Sequence, residues 1–462
     1  MRKASSRILS RAAVAAIALF SLASALVANE SPPPDSFESI RVILHVLSDN
    51  ADDRRGALDY IERNWIDGFV PMVLEMSTLS RDRDTPAKLI RLLRKKTNQR
   101  FGGDRDKWQR WLWSREAAAH PHYEVFKAAL YGLLDPKFRS YFSPGLISKI
   151  RLDEVVWGGV MQDGIPPLRN PKMITAEEAD YLDDSNIVFG IEVNGDARAY
   201  PKRILAWHEM FVDAVGGVPV AGVYCTLCGT VILYETTQDG VKHQLGTSGF
   251  LYRSNKLMYD KATQSLWNTL WGRPVIGPLA KKEIQLKRRW VVTTKWGEWR
   301  RRHPETTVLS LETGHQKDYS EGAAYRDYFA TDKLMFTVPK LDRRLKNKDE
   351  VLALQFEQAG EEQLAIAAKF LKKKPLYQDR VGPVEFVVAT DRSGANRVYE
   401  SGGRKFVEFD GDRVLKDASG VRWSLTEEGL ESDGGEVLSR LPAHRAFWFG
   451  WYSAYPATRL VK

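Results

Sequence analysis

The chain has 462 residues, of which 43% are hydrophobic and 27% charged, with 34 Gly, 21 Pro and 14 Trp. That composition excludes a disordered, collagen-like or coiled-coil protein, and at about 150 residues per domain the length suggests roughly three domains. Two cysteines exclude a disulfide scaffold, and a formal charge of +9, of which Arg2, Lys3, Arg7 and Arg11 near the start carry four, is too small over the rest of the chain to imply nucleic acid as a partner.

Arg2, Lys3, Arg7 and Arg11 precede an apolar run from Ala12 to Ala28 that ends among the small residues Ala23, Ala25 and Ala28. A basic start, an apolar stretch and small residues at its far end describe a secretory signal peptide over residues 1–28. The alternative is a retained anchor, since the run is just long enough to span a bilayer. Cleavage leaves no stable membrane span and places the mature protein in the periplasm or outside the cell, in an oxidising setting. Residues 29–36, with Pro32-Pro33-Pro34, read as a short stiff linker.

From 37 to 150 the apolar residues recur at helical spacing, as in Leu58, Ile61 and Trp65, or Phe126, Ala129, Leu130 and Leu133. Short polar breaks separate four to six such segments, an arrangement that resembles paired-helix repeats of the HEAT type. Trp108, Trp111 and Trp113 read as helix-packing core. After Val155 the texture changes to strands: Ile187 to Val193 runs into Asn194-Gly195, and Val212 to Val215 into Gly216-Gly217. A short helix is expected from Lys295 to His303, stopped by Pro304.

Two stretches then match in the same order. Trp296, Trp299, Pro304 and Thr306 share the spacing of Trp448, Trp451, Pro456 and Thr458, and Val218 to Glu235 aligns with Gly382 to Glu400. This predicts a duplication, with a first half over 155–312 and a second over 340–462. The expected fold class is therefore α+β: an N-terminal all-α, helical-repeat-like domain, then a β-rich domain of two pseudo-symmetric halves, each closed by a short helix.

Both cysteines lie in Cys225-Thr226-Leu227-Cys228-Gly229-Thr230, with strand-like residues on either side. A thioredoxin-like motif starts a helix at its first Cys, so the flanking strands point instead to a knuckle that turns both sulfurs toward one ion. No further Cys exists, so other ligands of a Zn or Cu ion must come from His, Asp, Glu or Met. A tight turn at Gly216-Gly217 is read as setting Asp213 opposite Val218 and His208 opposite Val223, which brings His208 diagonally beside Cys225. That placement depends on register. The second half has no Cys in the matching stretch, Ala389 to Gly394, so the pair is not required by the fold. Ser248, Tyr252, Arg253 and Asp260 are candidates to line the same pocket. Met258 would suit a soft ion and Asp260 a harder one. His208-Glu209 lacks the second His of a zincin motif.

The runs Asp196-Ala197-Arg198-Ala199-Tyr200-Pro201, Trp207-His208-Glu209, Tyr224-Cys225 through Thr230, Ser248-Gly249 with Tyr252, and Leu257-Met258-Tyr259-Asp260 resemble the bacterial and archaeal domain-of-unknown-function 3179 family over about 155–462. Thr226 stands where that family usually has Pro. The resemblance implies an exported or anchored protein with the Cys pair and His208 as functional positions, and it implies no reaction.

Two classes of function follow. One is a metal-binding or thiol-redox site built on Cys225, Cys228 and His208, with Glu209 as orienting group or general base and Asp260, Tyr252 and Arg253 nearby. The other is a non-catalytic exported module that binds a glycan or peptide and carries the cysteines as a structural disulfide. Whether the protein is an enzyme, and whether its partner is a small molecule or a protein, stays open at this point.

Overall fold

Residues 31–116 and 119–462 are described by the computed structural model, so the expected leader lies outside the described residues. The chain divides between Asp153 and Glu154 into two units.

In the first unit the periodic segments form α-helices at Phe37–Leu44, Ala51–Arg63, Phe69–Leu79, Thr85–Thr97, Arg105–Trp113 and Tyr123–Gly132. Their starts follow from local chemistry. Ser36, Asn50 and Asp104 each accept a backbone N–H of the first turn, which satisfies a donor that the helix cannot satisfy itself. Phe69–Leu79 is apolar nearly all round and is accordingly the buried helix. Trp108 and Trp113 are buried, whereas Trp111 is half-buried.

A buried cation sits among these helices. The Lys127 ammonium lies 3.1 Å from Glu75, which also accepts from Tyr131 at 2.6 Å and from Tyr123. The rings of Tyr123, Tyr131 and Phe142 face the ammonium at 5.0–5.4 Å. Burial lowers the Lys127 pKa, and the Glu75 charge opposes that shift. Removing one partner of such a pair strands the other charge. Glu75→Gln is therefore expected to destabilise the protein by about 3–5 kcal/mol in thermal unfolding, and adding Lys127→Met is expected to recover most of the loss.

The second unit is strand-rich, so the chain as a whole is α+β. One sheet runs in the order Val292–Lys295, Ile187–Val193, Asp196–Pro201, Thr307–Leu309 and Met173–Thr175; a later one runs Ala443–Phe447, Glu350–Leu354, Leu364–Ala367 and Arg459–Val461. In each, the first three strands are antiparallel and the fourth lies parallel to the third. A helix leads into the parallel strand in both, Trp296–Arg302 and Trp448–Ala454. The Trp299 indole donates to Thr306 Oγ1 at 2.9 Å, and the Trp451 indole to Thr458 Oγ1 at 3.0 Å, as a buried indole N–H requires.

Val218–Cys225 pairs with both Met210–Val215 and Thr230–Glu235. The register corrects the expected one. Asp213 lies opposite Val220, and Met210 opposite Val223, two residues along from the predicted pairing. The cause is that Gly216 and Gly217, both at positive φ, are the whole turn, so Val215 faces Val218 directly. Only Gly fits at 216, where a Cβ would lie 2.0 Å from the Val193 carbonyl oxygen. His208 ends the helix Lys202–His208 and takes no place in a strand.

Candidate functional site

The cysteines close the hairpin of Val218–Cys225 and Thr230–Glu235, with Cys225 opposite Thr230. The Cys228 N–H donates to the Cys225 carbonyl at 3.2 Å, and Gly229 follows at φ +59°. This reverse turn places residues 225 and 228 side by side. The Cys228 carbonyl accepts from the Phe447 N–H at 2.7 Å. Helix Trp448–Ala454 lies directly against Cys228, because residue 450 is Gly: a Cβ there would stand 2.9 Å from Cys228 Cβ and 3.2 Å from its sulfur. Both thiols are free and buried, with Cys225 2% and Cys228 0% exposed.

A second hairpin meets the first at the sulfurs. Its strands are Leu245–Tyr252 and Asn255–Asp260, and Arg253 and Ser254 form the turn, both at positive φ. Two non-glycine residues in the left-handed region cost of order 1–2 kcal/mol each, and such strain gathers at functional sites. Arg253 is pinned by Glu154 at 2.5 Å and by the Ser453 carbonyl at 3.2 Å. The turn presents its backbone to the thiols: Cys228 Sγ donates to the Ser254 carbonyl at 3.1 Å, and the Lys256 N–H reaches the Cys225 sulfur. The Asn255 amide faces Cys228.

Glu209 is the charged group of the site. It caps Lys202–His208 in the left-handed conformation at φ +56°, where Gly is the usual choice. Its carboxylate accepts from Thr226 Oγ1 at 2.6 Å and Tyr325 at 2.9 Å, and it pairs with the buried Lys256 ammonium. Tyr328 donates to the Leu227 carbonyl at 2.7 Å.

These neighbours separate the two thiols. Burial alone raises both. At Cys225 it is outweighed by the hydrogen bond with Cys228, the Lys256 N–H and the Lys256 charge, so its pKa falls below the ordinary thiol value despite Glu209. At Cys228, burial and the neighbouring Cys225 push the pKa well up. Cys225 is thus the thiol that ionises first.

Among the sequence-predicted residues, Cys225, Cys228 and Glu209 come together, Arg253 joins them as part of the second turn, and the others do not. His208 engages the Pro166 carbonyl at 2.8 Å through Nδ1 and the Tyr319 hydroxyl at 2.6 Å through Nε2, so neither ring nitrogen is turned on a thiol. Asp260 lies at the far end of its strand, where it accepts from Thr263 N and Oγ1 and meets His243 at 3.4 Å. Ser248 fills the bulge of its own strand by donating to the Leu257 carbonyl at 2.6 Å. Tyr252 stacks edge-on against Trp271, and Met258 is core beside Trp267. Among the described residues there is no group of three or more His, Cys, Asp or Glu side chains placed to hold a metal ion. Sequence reading missed Ser254, Asn255 and Lys256, although they directly follow the singled-out Arg253. Tyr325 and Tyr328 lie a hundred residues from the cysteines and carried no signal.

The family description "Protein of unknown function (DUF3179)" matches residues 162–458. The chain belongs to the DUF3179 family. No curated protein and no solved structure matches it. The matched segment includes both hairpins, Glu209 and the Tyr325–Tyr328 stretch, so the whole cluster lies inside the family region. No helix of the described residues is long and apolar enough to cross a membrane.

Burial lowers the His208 pKa from its ordinary value of 6.5 to about 4, with the Pro166 carbonyl opposing that shift. The unfolded chain binds this proton near pH 6.5 and the folded chain only near 4, so stability is complete above 6.5 and falls as the pH drops toward 4. The expected contribution is about 3 kcal/mol. Unfolding free energies of the protein and of His208→Gln, compared at pH 7 and pH 4, should differ in pH dependence by about that amount.

Proposed function

We propose that the protein is an exported dithiol protein in which Cys225 and Cys228 cycle between dithiol and disulfide, with Cys225 as the attacking sulfur. The observation that carries this reading is the unequal setting of two adjacent buried thiols: Cys228 Sγ donates to the Ser254 carbonyl at 3.1 Å, while the Lys256 N–H reaches the Cys225 sulfur. A thiolate attacks and a thiol waits to close the disulfide, which is the division of labour a redox pair needs. Closing the bond removes two electrons and two protons from the pair and passes the electrons to an external oxidant. Lys256, held on Glu209, supplies positive charge beside Cys225, where His208 is turned instead on Pro166 and Tyr319.

A Zn or Cu ion on the same sulfurs is the second reading, supported by the tight turn that Gly229 completes, the shape of a metal knuckle. Against it, the Lys256 ammonium beside the pair repels a cation. A non-catalytic module with a structural disulfide has less support, because the sulfurs are free.

We further infer that 155–312 and 340–462 derive from one duplicated unit. The shared strand orders and the paired Trp-to-Thr bonds support it. In the second half, Asp391 bonds Ala395 across the hairpin as Cys225 pairs with Thr230, and it holds Arg397 at 2.8 Å. The hairpin therefore closes without thiols.

The experiment is selective alkylation of the reduced protein near neutral pH, with a count of thiols before and after equilibration in glutathione redox buffers. Cys228→Ser should keep the fast-reacting thiol and Cys225→Ser should lose it, with both variants folded. Equal reactivity of the two thiols would sink the redox reading. Stoichiometric Zn or Cu that disappears in Cys225→Ser would establish the metal reading in its place.

A further inference from the structure

The sulfurs are poorly placed for a large oxidant. A protein disulfide must approach the attacking thiolate in line with its own S–S bond. Here Tyr328 and Leu227 pack on one part of the turn, and Phe447 and Gly450 on another, leaving Cys225 2% and Cys228 0% exposed. Whatever oxidises the pair quickly in the closed site is only a few atoms in size, whereas glutathione equilibrates slowly, through local opening.

The neighbouring turn carries polar groups that the protein leaves partly unused. Ser254 Oγ has no hydrogen-bond partner, the Asn255 amide has none besides the Cys228 sulfur it faces, and the Lys256 ammonium donates to nothing beyond its ion pair with Glu209. All three residues are more than nine-tenths buried. Buried polar groups without partners are rare, and each costs about 1–3 kcal/mol. Ser254 and Asn255 leave polar capacity in consecutive positions, at a strained turn whose backbone already contacts both sulfurs, where a small ligand would find donors.

We propose that the oxidant taken by this pair is a small hydroperoxide, held at Cys225 by Ser254, Asn255 and Lys256. The inference rests on the dithiol reading. A lone pair of the Cys225 thiolate attacks the nearer peroxide oxygen, forming an S–O bond as the O–O bond breaks. The departing hydroxide takes a proton from the Lys256 ammonium and leaves as water, and Cys225 becomes a sulfenic acid. The Cys228 sulfur then attacks the Cys225 sulfur, the S–O bond breaks, and the Cys228 proton leaves with the oxygen as a second water. Lys256 recovers a proton from solvent, matching the one Cys225 released on ionising. A small external dithiol restores the pair and is itself oxidised to a disulfide. The same burial that excludes protein substrates shields the sulfenic acid from further oxidation until Cys228 closes on it.

The test is stopped-flow oxidation of the reduced full chain with hydrogen peroxide. Oxidation should run at least about a hundredfold faster than for free cysteine at the same pH, the range that positioned proton donors supply. Cys228→Ser should leave a sulfenic acid on Cys225 that dimedone captures. Asn255→Ala and Ser254→Gly should each slow the peroxide step about tenfold or more, while both proteins stay folded and their thiols still close to a disulfide in glutathione buffers. Ser254→Gly keeps the carbonyl that accepts Cys228 and relieves the left-handed conformation, so it should raise the melting temperature, which separates lost reactivity from lost fold. A peroxide rate no faster than that of free cysteine, or one indifferent to both variants, in a protein whose thiols still equilibrate with glutathione, would overturn the hydroperoxide and leave the dithiol standing. Thiols inert to peroxide and glutathione alike would remove both.

Discussion

The site depends on the meeting of two hairpin turns at one pair of sulfurs. Cys225–Gly229 can bring its thiols together only because Gly229 takes a left-handed conformation where a Cβ would strike the Phe447 ring at 2.9 Å. Arg253-Ser254 delivers a carbonyl to Cys228 and an N–H to Cys225 only because both its residues also sit at positive φ. The first turn is filled by the residue such a turn favours. The second is not, and the bond from Arg253 to Glu154 is what holds it. The molecule accepts strain in the element that supplies donors and avoids it in the element that supplies sulfur.

Charge follows the same geometry. A buried Lys–Glu pair is seldom worth its desolvation as a source of stability, so Lys256 and Glu209 need another reason to be where they are. Lys256 favours the Cys225 thiolate and Glu209 disfavours it, and both act on a sulfur that burial would otherwise keep protonated. Glu209 also fixes Thr226 inside the turn and Tyr325 outside it. A single carboxylate thus ties the thiol loop, the helix that ends at His208 and the stretch around residue 325 into one body.

How much of this was legible depends on the range over which each feature is encoded. Helix periodicity, the Gly216-Gly217 turn and the Trp–Thr spacing are local, and they appear in the structure within a residue or so of where the sequence puts them. The strand–turn–strand setting of Cys225 and Cys228 was legible for the same reason. His208 was misjudged because its placement needed a register. The reading ended the strand two residues early, and it gave strand geometry to a residue that a helix had already claimed. Asp260 and Ser248 were polar residues near a site in sequence and far from it along the strand, at about 3.3 Å per residue. Lys256 escaped notice because an isolated Lys in an alternating strand reads as a solvated face. Its burial comes from Glu209, forty-seven positions away.

On the proposed duplication, a half without cysteines persists beside one that has them. Helix Trp448–Ala454 and Phe447 cover the thiol turn. In the opposite direction, Thr294 meets Ser393 at 3.2 Å and Arg302 reaches Asp391 at 3.6 Å, so the segment around helix Trp296–Arg302 contacts the turn of the other half. Helix Trp448–Ala454 thus covers the turn at Cys228, and the segment around Trp296–Arg302 covers the turn at Asp391. On the proposed duplication, only one of the two covered turns had to keep its chemistry, while both had to keep their covers. Glu298 holds Arg302 at the first cover, and Gly450 occupies the corresponding position of the second, where any side chain would collide with Cys228. The exchange of a charge for a hydrogen at that one position is what lets the second helix approach a sulfur.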